Sequence, residues 1–208
     1  LFSGFYFRRK KMKNEKTKKL VLIAVLGALS AVLMVFRFPL PFMPPFLSFD
    51  FAGVPELIGA FALGPIAAIL IVIVRILLQL VLSGTNSMFT GELQGLMLSI
   101  ALVLPAAIIY KHNKTKQGAL KGILVGALTN IVVAVFTNLV IIIPFYVALY
   151  GMNMDMIIDM CKAVNPYVDS TFKLVILGIV PFNFIKNAVV CFITFIIYKK
   201  ISSVIKNY

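Results

Sequence analysis

Charge is scarce in this chain. Only 13% of its 208 residues are charged, and only 7 are acidic. A soluble globular chain carries about 25% charged residues and about 45–50% apolar ones. Here 61% are hydrophobic and the mean hydropathy is +1.03. So few charges cannot clothe a water-facing surface, which makes lipid the solvent for most of the chain. Histidine is nearly absent: His112 stands alone, in a basic loop with Lys111, Lys114 and Lys116. The two cysteines, Cys161 and Cys191, lie thirty residues apart, which is neither zinc-ligand spacing nor a disulfide framework. No G-x-x-x-x-G-K-[ST] loop occurs, which excludes P-loop ATP binding. Tryptophan is missing altogether, so aromatic stacking must come from Phe or Tyr.

What is abundant is apolar sequence and positive charge. The formal net charge of +13 suggests nucleic acid until the charges are located. Eight of the 20 basic residues precede Leu20, and most of the others lie in connections, as membrane orientation requires. Six apolar segments follow: Leu20–Phe36, Phe51–Leu63, Ile66–Leu82, Leu93–Tyr110, Ala119–Leu149 and Leu174–Tyr198. A spanning helix takes about 20 apolar residues, and the second segment falls short. Fused with the third it would run about 48 Å, and Gly64-Pro65 is a natural break. The basic start followed by an apolar run resembles a signal peptide, but the run's length and the later segments favour a retained first span. The chain opens on Leu1, and Met12 is a candidate start.

Charge asymmetry sets the parity. Six spans place the N-terminal tail, the Lys111–Lys121 loop, and Lys199, Lys200 and Lys206 on one face, 15 of the 20 basic residues in all. The expectation is an all-α integral membrane protein with six transmembrane helices and both termini cytoplasmic. It comprises a basic tail (1–19), a six-helix domain (20–200) and a short cytoplasmic tail (201–208). On the outer face, the stretch from Arg37 to Asp50 holds four prolines, which forbid helix or central strand. Its phenylalanines suit a loop packed across the bundle mouth. The polar segment Gly151–Phe172 has room for a short surface helix.

Polar groups inside the spans carry the functional signal, because each is costly in lipid and faces the bundle interior. Asn138 lies about 25 Å along its helix from Lys121, and Asn183 about 24 Å from Lys199, which puts both in the outer half. Asn183, Lys186 and Asn187 share a face by i, i+3, i+4 spacing. Asparagine offers two donors and an acceptor, and lysine a charged donor, a set that matches the polar edge of a flat heteroaromatic ligand. Phe42, Phe46, Phe49 and Tyr146 are candidate walls. Interhelical glue is the competing role for the asparagines, and ordinary packing for the rings. Glu56 and Arg75 fall at similar depth on either side of Gly64-Pro65, as a structural ion pair would. Glu92 opens the fourth span, as a helix cap or a pocket border. Ala24-x-x-x-Ala28 and Gly27-x-x-x-Ala31 put small residues at one-turn spacing, suited to close helix approach within the chain or to a partner.

The stretch from Phe38 to Glu56 (FPLPFMPPFLSFDFAGVPE), the element Gly178-Ile-Val-Pro-Phe-Asn-Phe-Ile-Lys186 and the element Ile142–Gly151 together resemble the riboflavin-type S component of energy-coupling factor (ECF) transporters. The similarity runs from Lys18 to Lys200. It implies a non-catalytic, six-helix subunit in the cell membrane that binds riboflavin near its outer face, with no cofactor of its own. It also implies a transmembrane T component and two cytoplasmic ATPases as partners. By the resemblance, Asn138, Asn183 and Lys186 fall on ligand positions, and Ala24 and Ala28 on the T-component face.

Two other readings stay open. One is an S component of the same architecture for another vitamin, such as pantothenate or a pterin. The other is an integral membrane enzyme, which would need clustered acids or histidines near one membrane face. Asp155 and Asp159 are the only such pair, and they lie in the polar outer segment.

Overall fold

The computed structural model describes residues 2–44, 46–85, 87–151 and 153–205. Lys206, counted above among the inner basic residues, and the rest of the 206–208 end lie outside the described residues. The chain is a helical bundle. It runs α1 (Phe2–Val35), a strand pair β1 (Phe38–Pro39) and β2 (Ser48–Phe49), α2 (Gly53–Leu63), α3 (Pro65–Ser83), α4 (Thr90–His112) and α5 (Lys116–Thr137). A π-helical turn (Asn138–Ile142) leads into α6 (Ile143–Tyr150), followed by α7 (Met154–Lys162) and α8 (Thr171–Leu174). A second π turn (Val175–Ile179) leads into α9 (Val180–Ile205).

Among the described residues, five helical stretches are long and apolar enough to cross a membrane: Glu15–Val35, Pro65–Ser83, Thr90–His112, Lys116–Leu149 and Thr171–Tyr198. The expected second span is a helix of 11 residues, about 16 Å long. Its ends show why it is short. At its start, Ser30 Oγ donates to Ala52 O (2.8 Å) and to Glu56 Oε1 (3.1 Å). Ser30 lies about 8 Å along α1 before its end at Val35. At the other end, Leu63 and Gly64 border the same cavity as Lys19. Helix α2 thus starts level with Ser30, short of the end of α1, and the chain that enters it, Asp50–Ala52, is not helical. Non-helical backbone is tolerated there because protein surrounds it. Eight of the eleven residues of α2 are buried, among α1, α3, α4 and α9.

The break at Gly64-Pro65 is as expected. Gly64 takes φ +86°, a region open to glycine, and Pro65 starts α3, where its missing N–H costs nothing. The Pro-rich loop contains one feature the sequence reading did not foresee. Phe38 pairs with Phe49 and Pro39 with Ser48 in a minimal antiparallel ribbon. Both strands are edges, the one setting where proline is compatible with a ladder. The ribbon lies across the bundle, where Pro44 packs so closely on Gly178 that a Cβ there would sit 2.9 Å from the proline ring. The basic tail also differs from a simple loop, since α1 continues unbroken back through it to Phe2. Helix α7 fills the polar outer segment, capped by Asn153, whose side chain accepts from Met156 N–H.

Both π turns end one residue short of a proline, Pro144 and Pro181. A proline ring crowds the carbonyl four residues back, and the wider i−5 turn relieves that clash. Ile143 N–H accordingly donates to Asn138 O, and Val180 N–H to Val175 O. The α4–α5 contact depends instead on missing side chains. A Cβ on Gly126 would lie 2.2 Å from Leu102 O, and one on Gly122 would lie 2.8 Å from Ala106 O. Backbone oxygens cannot move aside as a side chain can. Gly126→Ala should therefore lower stability by about 1–3 kcal/mol, read as a fall in the detergent unfolding midpoint. Substitution at Gly84, which has open space but positive φ, should cost only its backbone strain.

Candidate binding site beneath the ribbon

Buried charge in a membrane bundle must find opposite charge or hydrogen bonds. Arg75 of α3 meets both needs. Its Nε donates to Glu56 Oε1 at 3.0 Å, its Nη1 to Gln79 Oε1, and its Nη2 to Ser99 Oγ and Gly95 O. Glu56 is fully buried and Arg75 nearly so. The Glu56–Arg75 pairing expected across the Gly64-Pro65 turn is present.

On the ribbon side of this pair lies a polar cavity with about 70 Å³ of free space. Asp50, Arg75, Asn130, Asn183, Lys186 and Asn187, with Ser99, supply its polar lining. Lys186 Nζ donates to Asp50 Oδ2 at 2.6 Å, and Asp50 Oδ1 accepts from Ala52 N–H at 2.9 Å. The Arg75 guanidinium lines the same cavity, so the Asp50 carboxylate shares it with two cations.

The sequence reading ended the Pro-rich outer stretch at Asp50 without giving it a role, and left Glu92 as a helix cap or a pocket border. The structure pairs Asp50 with Lys186 and keeps Glu92 at the start of its helix. Glu92 Oε2 accepts from Thr85 Oγ1 and Ser87 Oγ, each at 3.1 Å, and closes the α3–α4 connection at the first turn of α4. It borders neither of the cavities described here.

The other expected residues separate into groups. Asn183 Nδ2 donates to Ile179 O at 2.8 Å, the last carbonyl of the second π turn. Asn187 Nδ2 donates to Asn130 Oδ1 at 2.8 Å, and Asn130 Nδ2 to Leu98 O at 2.7 Å, a chain that joins α9, α5 and α4. Asn138 lines a second, mostly apolar cavity of about 60 Å³, with Phe46, Ile142, Tyr146, Ile157 and Met160. Its Nδ2 donates to Ala134 O, while its buried Oδ1 has no hydrogen-bond partner among the described residues. Phe49 is buried, edge-on to Phe51 and packed with Phe182. Phe42, at φ +62°, is exposed at the ribbon turn and lines neither cavity. The ribbon and its exit thus serve both cavities, Phe46 in the apolar one and Asp50 and Ala52 in the polar one.

On α1 the two small-residue pairs diverge. Ala31 is fully buried, and a Cβ on Gly27 would lie 2.6 Å from Val74 Cγ1, so this pair serves the α1–α3 contact. Ala24 and Ala28 stay exposed, beside exposed Val21, Val25, Leu29 and Val32.

The family model for the ECF transporter substrate-specific component matches residues 18–198. The chain belongs to that family. It is 30% identical to the riboflavin transporter RibU of Staphylococcus aureus over 200 residues, covering 96% of this chain and 98% of that one. It is 28% identical to the riboflavin transporter FmnP of Bacillus subtilis, covering 89% of this chain and 93% of that one. A solved S component of a bacterial ECF transporter superposes with a TM-score of 0.71 at 27% identity, covering 92% of this chain and 99% of that one. As a substrate-specific component, this chain belongs with transporters and not with the membrane enzymes weighed above. Asn130, Asp50 and Arg75 join the cavity without having been expected there. Asn130 was visible as an amide in an apolar run, whereas the other two needed tertiary contacts.

The Lys186–Asp50 pair sets the outcome of a substitution. Lys186→Met leaves the Asp50 carboxylate buried, with the Ala52 N–H as its remaining hydrogen bond among the described residues. Breaking a buried pair costs about 3–5 kcal/mol, and the part-exposed lysine reduces that to about 2–3 kcal/mol here. The unliganded unfolding midpoint should fall for Lys186→Met. The double variant Asp50→Asn/Lys186→Met should recover most of the loss, which a double-mutant cycle would quantify.

Proposed function

We propose that this chain is the riboflavin-binding S component of an ECF importer. It crosses the cell membrane six times, with α2 and the ribbon loop together making the second crossing and both termini cytoplasmic. Riboflavin enters from the outer face beneath the ribbon and is delivered inward with a T component and two cytoplasmic ATPases. The chain carries no catalytic site and needs no cofactor in this role. Its substrate-binding domain is 20–200, flanked by a basic tail at 1–19 and a short tail at 201–208.

The observation that supports this reading most is the pairing of a polar and an apolar cavity under one loop. Riboflavin has the same division: a flat tricyclic ring, largely apolar except for its imide edge, suits the apolar cavity with its single amide, and a polyhydroxyl tail suits the polar one. Asn138, with its unpartnered buried acceptor, suits the imide N–H. Asn183 and Lys186 supply donors for carbonyl and hydroxyl oxygens. Phe46 and Tyr146 flank the ring. Each cavity is smaller than the roughly 300–1,000 Å³ of a ligand site, so binding joins the two as the ribbon shifts outward at Phe46. Phe49 and Asn187 support this site through packing and the Asn130 bond, with Glu92 anchoring the α3–α4 connection. The T component docks on the exposed Ala24–Ala28 face of α1, where small residues allow close approach.

Ligand-stripped protein in mild detergent should quench riboflavin fluorescence at one-to-one stoichiometry without ATP. Absence of quenching, together with clear binding of pantothenate or a pterin, would replace riboflavin as the substrate. Asn183→Leu should weaken riboflavin binding by roughly 2- to 12-fold, the worth of one hydrogen bond of about 0.5–1.5 kcal/mol. The double variant Ala24→Leu/Ala28→Leu should leave flavin titration unchanged and abolish uptake in cells that hold the whole transporter. Unaltered uptake would move the docking face elsewhere.

A further inference from the structure

At the basic end of the bundle, far along α2 from the ribbon, lies a third cavity of about 270 Å³. It opens where α2 turns into α3 at Gly64-Pro65. Ala60, Phe61, Leu63 and Ala107 form an apolar floor, with the ring of Tyr110 beside them. The cavity exists because small residues meet there, Ala60 and Gly64 against Ala107, so no side chain fills the space. The Tyr110 hydroxyl is already engaged with Tyr198 at 2.9 Å, in a buried aromatic cluster with Phe61.

The rim has a different chemistry. Lys19 at the start of the apolar part of α1, Lys111 at the end of α4, and Lys114 just beyond it all border the opening. All three are exposed, none forms an ion pair among the described residues, and no carboxylate lines the cavity. Glu15, one turn before Lys19, forms no ion pair with any of them. Three unpaired ammonium groups from separate elements thus surround a greasy pit at the depth where the apolar spans end. The start of α3 adds backbone N–H groups at the positive end of its dipole.

We propose that this cavity binds an anionic phospholipid, with the phosphate held by Lys19, Lys111 and Lys114 and the glycerol and upper acyl chain on the Ala60–Ala107 floor. A phosphate diester satisfies the charges, and the apolar floor requires the attached hydrocarbon. A free phosphate would leave that floor in water. Basic pockets between transmembrane helices suit anionic headgroups for the same reason. The site is separate from the ribbon-side cavities, and lipid there holds the α2–α3 corner to the α4–α5 connection.

The test uses delipidated, detergent-purified full chain. Phosphatidylglycerol, added as mixed micelles, should raise the unfolding midpoint by about 3–5 °C. Phosphatidylcholine, inorganic phosphate and glycerol phosphate should leave it within about 1 °C. Lys111→Gln/Lys114→Gln should lose the phosphatidylglycerol shift. Lys116→Gln/Lys121→Gln, which removes the same charge outside the pocket, should keep it. Lys19→Gln should reduce the shift by about half, and serves as the reporter if the double pocket variant does not fold. Equal loss in both double variants would overturn the site in favour of diffuse surface charge. A shift with glycerol phosphate alone would make it a free-anion site instead. No shift with any lipid, combined with weaker co-purification of the energising partners in the pocket variant, would assign the cavity to a protein contact.

Discussion

Everything in this bundle is arranged around the need to neutralise one guanidinium in a low-dielectric interior. Arg75 hydrogen-bonds Glu56 on α2, Gln79 on its own helix, and Ser99 and Gly95 on α4, while Ser30 on α1 reaches the same carboxylate. Four helices are tied together through one charged centre. Helix α2 is held at the middle because Glu56 lies on it, and it is short because Ser30 fixes where it starts. A buried ion pair of this kind adds little net stability over an apolar replacement, but removing one partner is severe. Here it sets the helices' relative positions, which ordinary apolar packing in lipid specifies only weakly.

The site beneath the ribbon inherits that geometry. Arg75 is at once a structural group and part of the polar cavity wall. Asp50 in turn holds Lys186, linking the loop exit to α9. Two ion pairs therefore share one cavity. The π turns at 138–142 and 175–179 contribute from the other side, one starting at Asn138 and one ending at the carbonyl that Asn183 engages. Proline makes those turns wide, and wide turns place the amides. The division between a polar compartment and an apolar one follows from which helix each amide stands on.

The two faces of α1 show the same logic at a surface. Gly27 and Ala31 are small because Val74 and α3 press against them, whereas no close neighbour explains exposed Ala24 and Ala28. At the basic end, small residues play a third part: Ala60, Gly64 and Ala107 leave a gap that the lysines surround. Small side chains in one chain thus serve internal packing, an outward face and a cavity.

Much of this was legible in the sequence. The long spans, the Gly64-Pro65 break, the polar outer helix and the Glu56–Arg75 pair follow from hydropathy, turn chemistry and the cost of charge in lipid. Asn138, Asn183 and Lys186 were visible as costly polar groups, as Asn130 should have been. Three features were not legible. The shortness of α2 as a span, and its starting depth, depend on contacts with Ser30. The Phe38–Phe49 ribbon needs proline on an edge, which only the fold defines. The partner of Lys186 lies 136 residues away, at Asp50, and Glu92 is drawn instead to Thr85 and Ser87. Sequence by itself determined which groups cannot face lipid, because transfer cost belongs to each residue alone. Only the tertiary structure decided which of those groups meet, because pairing depends on distances between helices that hydropathy does not encode.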